Sequence, residues 1–152
     1  DLQFYEQLFG STLLIVFGSH VSSNIKKRRQ AEENFIKTEE KYRIILENIE
    51  EGYYEINING QFKLINNSMC TLLACKESEI IGTNIISHIE EKYIPNFKAL
   101  FNKIKHNEER SGKLKCKFKL KHGERKNVEI SFSQLLDNDK KIDGARGLVR
   151  DI

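Results

Sequence analysis

Gly144-Ala145-Arg146-Gly147-Leu148-Val149-Arg150-Asp151-Ile152 reads as a final β-strand, and the segments before it read as its neighbours. A turn at 137–141 precedes it. Before that turn, residues 125–136 place Val128, Ile130 and Phe132 two apart, so all three face one side of a strand. Residues 113–121 alternate without a fault: Lys113, Lys115, Lys117, Lys119 and Lys121 on one side, Leu114, Cys116, Phe118 and Leu120 on the other. His122-Gly123-Glu124 is the turn between those two runs. Three strands in succession therefore end the chain.

Two more strands stand earlier. From Gly52 the period is two, with Tyr54, Ile56 and Ile58 on one side and Tyr53, Glu55 and Asn57 on the other. Asn59-Gly60 predicts a two-residue hairpin, because both residues accept positive φ, and 61–66 pairs back. Asn66 or Asn67 is placed to cap a short helix carrying Met69, Cys70, Leu72 and Leu73. Ser78 is placed to cap the next turn, and Gly82 to end it. Ile85, Ile86 and Ile89 follow on another short turn. Residues 94–106 then carry Phe97, Leu100, Phe101 and Ile104 three and four apart, a helix with one apolar face and Pro95 in its first turn. The pattern predicts an α+β domain: a five-stranded antiparallel sheet, two strands early and three late, with short helices on one face and a long helix before it.

In this order the segments resemble a PAS sensor domain. The closing strand ends on Arg150-Asp151-Ile152, and Ser78-Glu79-Ile80-Ile81-Gly82-Thr83-Asn84 is similar to the family's S-x-E-E-L-I-G-K-N stretch. The resemblance covers 41–152 and leaves 1–40 as an N-terminal signalling or linker helix. Residues 8–33 are in turn similar to the last helix of a GAF domain running into a linker. The PAS resemblance implies a sensory module of a bacterial or archaeal signal-transduction protein. The expected parent is a sensor histidine kinase, or a diguanylate cyclase, with the output domain downstream. The module itself is expected to catalyse nothing. Asp151 marks the expected signal exit, where the family has Asp-Ile-Thr, and is placed to cap a following helix.

The long helix carries Leu14, Val21, Phe35, Tyr42 and Ile49 seven apart, with Arg28 interrupting. The complementary row is Gly18, Ile25, Glu32, Glu39 and Leu46. A seam of this kind fits a homodimer through Leu14, Phe17, Val21, Ile25, Phe35 and Tyr42, or a helix that packs on its own domain. The apolar run 8–21 precedes Lys26-Lys27-Arg28-Arg29. It is shorter than the roughly 20 apolar residues a bilayer requires and is broken by Gly10, Ser11, Gly18 and Ser19, so no direct membrane insertion is expected.

A length of 152 residues suits one domain with a helical extension, and 39% hydrophobic with 31% charged residues suits a soluble one. The net charge of +3 is too small to imply nucleic acid. The lysine ladder has no aromatic residues interleaved on its own face for base stacking, so it reads as a solvated strand face. Cys70, Cys75 and Cys116 are odd in number and form no C-x-x-C pair, which suits reduced thiols in a cytoplasmic protein.

The helices and the inward side of the sheet enclose Tyr54, Phe62, Cys70, Leu73, Ile85, Ile89, Phe97, Phe101, Phe118, Ile130 and Phe132. In PAS domains that region binds ligands, and these residues are the expected lining. A residue list of this kind also describes a solid core filled by its own side chains. The resemblance argues against two cofactors. Flavin photosensors of the superfamily carry Gly-x-Asn-Cys, and Ile85 stands at the cysteine position after Gly82-Thr83-Asn84. Haem-binding members use a histidine on the long helix, which here has only His106 at its end, with His88 earlier in a turn. The scattered His20, His88, His106 and His122 have no metal-site spacing. No nucleophile motif or phosphate loop occurs. The ligand stays unassigned.

Overall fold

A computed structural model describes residues 1–152. Its elements are α1 (Leu2–Glu47), β1 (Gly52–Asn57), β2 (Phe62–Ile65), α2 (Asn67–Leu73) and α3 (Glu77–Ile80). Two single 3-10 turns follow, Ile85–His88 and Glu91–Tyr93, then α4 (Ile94–Lys105), β3 (Ser111–Lys119), β4 (Arg125–Leu136) and β5 (Ile142–Asp151). The chain divides into two compact units, 1–44 and 45–152. The first is helical throughout, and the side chains of Leu14, Phe17, Val21, Ile25, Phe35 and Tyr42 are exposed on it.

The second unit is the expected five-stranded sheet, wholly antiparallel, in the order β2-β1-β5-β4-β3. The last strand in sequence thus lies at the centre, between the first strand and the fourth. Alternation along β1 and β4 buries Tyr54, Ile56, Val128, Ile130 and Phe132 on one face, where Met69, Leu73, Ile85, Phe97 and Ile104 from the helices meet them. The edge β3 accounts for the regular lysine pattern. Cys116 and Phe118 are buried, while Lys113 and Lys115 lie in solvent. Lys119 and, just beyond the strand, Lys121 pair with Glu91 at 2.7 Å and Glu79 at 3.0 Å.

Three local expectations are corrected. Ile58 is exposed, because β1 ends at Asn57 and the chain has already turned. The hairpin loop holds three residues, Ile58, Asn59 and Gly60: Asn57 N–H donates to Gln61 O at 2.9 Å, and Gly60 alone takes positive φ, 83°. Ser78 lies inside α3. The cap there is Lys76, whose N–H donates to the Glu79 carboxylate at 3.4 Å.

The β4–β5 loop repeats the geometry of the β1–β2 loop. Asn57 Oδ1 accepts from the N–H groups of Asn59 and Gln61; Asp137 Oδ1 accepts from those of Asp139 and Lys141. The left-handed position holds Gly60 in one loop and Lys140 in the other.

Candidate functional site

All but one of the eleven residues expected to line a ligand site are buried in a single cluster; Cys70 is half-buried against it. Rings account for much of the space. His88 packs on Phe62 at 5.8 Å, Phe62 on Tyr54 at 6.2 Å, Tyr54 on Phe132 at 6.2 Å, Phe132 on Phe97 at 5.2 Å and Phe97 on Phe101 at 5.6 Å, centroid to centroid. These are ordinary edge-on and offset contacts, which leave no room between neighbouring rings for another group. The run crosses the interior from the first 3-10 turn to α4.

At its centre side chains join the backbone in holding β4 to β5. The β4–β5 register passes through Ile130↔Val149 and resumes at Ser133↔Arg146. Between these pairs Leu148 N–H donates to the Ser131 hydroxyl oxygen at 2.9 Å, and Tyr54 Oη donates to the Ser131 carbonyl at 2.6 Å. Tyr54 reaches it across Gly147, its partner on β5. A Cβ at Gly147 would fall within the Ser131 carbonyl oxygen and 3.0 Å from the Tyr54 hydroxyl, so only glycine fits there. Burial raises the Tyr54 pKa well above the usual phenol value and keeps the hydroxyl a donor.

Where the run ends, α4 and the 58–60 loop leave a surface cleft of about 260 Å³. Phe97 and Phe101 form its apolar side, with Ile58 and Ile86. Asn59, Asn84, Asn102, Lys98 and Lys105 supply its polar groups. Two of the expected lining residues therefore form the buried wall of this cleft, and the amides and ammonium groups beside them were not singled out from the sequence. They stand on separate elements and have no common spacing.

The remaining side chains offer little reactivity. Burial pushes the Cys116 thiol up to about 12 and raises Cys70 and Cys75 as well, so none is a thiolate at neutral pH. Burial, then the charge of Lys119, lowers the His88 pKa. The Thr83 hydroxyl donates to Ile80 O at 2.6 Å, so at 3.0 Å from His88 Nε2 it can only accept, and the imidazole carries its proton on Nε2. No three His, Cys, Asp or Glu side chains converge in metal-binding geometry.

One polar residue joins the segments that frame the sheet. Asn66 is 2% exposed. Its Oδ1 accepts from Tyr53 N–H at 2.9 Å and from Met69 N–H at 3.0 Å. Its Nδ2 donates to Leu46 O and Glu51 O, both at 3.0 Å. The end of α1, the start of β1, the end of β2 and the first turn of α2 thus meet on one side chain. Its capping role is visible in the sequence, but its bonds to Leu46 and Glu51 are not. At the other end, Asp151 is the last residue of β5, opposite Val128, and pairs with Lys126 at 3.3 Å.

Residues 40–152 match the family model described as the PAS fold. No curated protein matches the chain in sequence. Among solved structures, the PAS domain of a Colwellia psychrerythraea protein has a TM-score of 0.67 at 15% identity, covering 78% of this chain and 97% of that one. The PAS domain of an HTR-like protein from Haloarcula marismortui has a TM-score of 0.65 at 16% identity, covering 82% and 99%. A PAS domain from a two-component sensor histidine kinase has a TM-score of 0.63 at 16% identity, covering 76% and 98%. At these identities the likeness is one of fold.

Proposed function

The chain belongs to the PAS fold family, and from that premise we propose that it is the sensory module of a larger signal-transduction protein. A sensor histidine kinase is the parent that fits best, supported by the neighbour of that description; a diguanylate cyclase is the next choice. The module works in the cytoplasm, catalyses nothing and relays a change in its second unit to the helices at its ends. Asn66 is the observation that carries this reading. A ligand or partner that moves β1, β2 or α2 must also strain the bond from Asn66 to Leu46 at the end of α1. Asp151, at the end of the central strand, is the exit on the other side.

The ligand of this reading is a small molecule with an apolar body, lying in the cleft between Ile58, Ile86 and Phe101 with its polar groups toward Asn84, Asn102 and the two lysines. Native mass spectrometry of the purified chain beside its denatured mass tests it. Extra mass lost on denaturation is expected. A bare chain, with an unfolding temperature that no small-molecule library raises, overturns ligand binding. The second reading is then preferred: a ligand-free module that aligns the helices of its parent as a homodimer. The unbroken run of rings through the interior favours it. In that case Val21→Asp or Phe35→Asp halves the mass seen by light scattering, and an unchanged mass sinks it.

A further inference from the structure

We infer that residues 7–25 cross a lipid bilayer, with Lys26-Lys27-Arg28-Arg29 at an anionic headgroup layer and the rest of the chain on that cationic side. The inference concerns the first unit alone and does not rest on the sensory reading.

Exposure on every side of the helix is the first observation. Leu13, Leu14, Ile15, Val16 and Phe17 are consecutive, and each is 59–74% exposed. Successive helical residues turn by about 100°, so five of them cover the whole circumference. A coiled coil buries a stripe, and an interfacial helix buries one face; neither covers an apolar ring. A bilayer does.

Length is the second observation. The apolar core 8–21 is short by itself, which is why its length alone argues against insertion. The stretch without Asp, Glu, Lys or Arg is longer, from Gln7 to Ile25, 25 − 7 + 1 = 19 residues. At about 1.5 Å per residue it spans about 28 Å, against a hydrocarbon layer of about 30 Å.

Three of the polar residues inside the stretch carry their own partners, while Gln7 stands at one end of it and His20, Ser22, Ser23 and Asn24 toward the cationic end. Ser11 Oγ donates to Gln7 O at 2.9 Å, Thr12 Oγ1 to Leu8 O at 2.7 Å and Ser19 Oγ to Val16 O at 2.9 Å. Hydroxyls that bond back to their own helix need no water, the condition that hydrocarbon imposes. Gly10 and Gly18 face open space, with nothing within 4 Å of where a methyl group would stand, and leave the helix unbroken.

Charge complementarity sets the direction. Four cationic residues follow the charge-free stretch, while Asp1 and Glu6 lie before it with Phe4 and Tyr5. Lysine and arginine are retained on the cytoplasmic side, where anionic lipids attract them. The second unit follows them on that side.

The test is expression of the full chain in bacterial cells, flotation of the lysate through a density gradient, and an alkaline carbonate wash of the floated membranes. The chain is expected to float and to survive the wash, with added protease reaching the second unit only in inverted vesicles. Leu14→Lys with Val16→Lys is expected to leave the membrane fraction with the unfolding temperature of the second unit unchanged. A wild-type chain that stays at the bottom of the gradient, or that carbonate strips, overturns the inference. So does a soluble wild-type dimer that the lysine pair dissociates, which would assign the helix to a second copy of itself.

Discussion

The Tyr54 hydroxyl donates to the Ser131 carbonyl, while the Ser131 side chain accepts from Leu148 N–H. Tyr54→Phe leaves that half-buried carbonyl with one partner fewer. The expected cost is about 1–2 kcal/mol, read from the urea midpoint with an unchanged slope. His88 gives a pH effect. Its pKa is lowered in the folded chain, so the unfolded chain binds the proton more readily. The stability from neutral His88 is fully present above the ordinary histidine value of about 6.5 and is lost as pH falls below it toward the folded value. Unfolding of wild type and His88→Asn at pH 7 and pH 5.5 checks this. The acid-side loss is expected to be smaller in the variant, and equal slopes would contradict it.

Among elements, the junction at Asn66 concentrates the most dependence on one side chain. Asn66→Ala removes the cap of α2 and breaks the bonds to Tyr53 N–H, Leu46 O and Glu51 O together. A lost cap costs about 1 kcal/mol and each further lost hydrogen bond adds to it, so a total of about 2–4 kcal/mol is expected. Faster amide exchange of residues 45–54 than of β4 would locate the damage. Strands were legible because alternation is local: 113–121 and 125–136 show their buried sides without any knowledge of what covers them. The size of the 58–60 loop was not, because Asn-Gly suits loops of two or three residues, and the choice is made where Asn57 meets Gln61. The helix over 94–105 was legible from Phe97, Phe101 and Ile104; the cap of α3 was missed because a backbone N–H bonded to Glu79 leaves no mark at Lys76.

Across the whole molecule, the buried set and the antiparallel sheet follow from patterns in sequence, while the site chemistry does not. Ser131 and Gly147 look like ordinary strand residues until β4 and β5 are paired, and Asn59, Asn84 and Lys105 become neighbours only when the loops close over α4. The three thiols offer a measure of global opening. Cys116 is held in the core with its pKa at about 12, whereas Cys70 and Cys75 are half-buried. Labelling by a neutral-pH thiol reagent is expected to reach Cys70 and Cys75 first. Cys116 is expected to react only at the rate of complete unfolding, so its labelling should slow in step with any stabilising condition. Equal rates for all three would show that the core opens locally.

Gly147 has a consequence for descent as well as for packing. The space its missing side chain leaves is the path by which Tyr54 reaches Ser131. A lineage that acquired any other residue at 147 would have to part β4 from β5, and the phenol would lose its acceptor. Positions 54 and 147, far apart in the chain, are therefore bound to be inherited or exchanged together, whereas position 131 contributes only a backbone carbonyl to the pair.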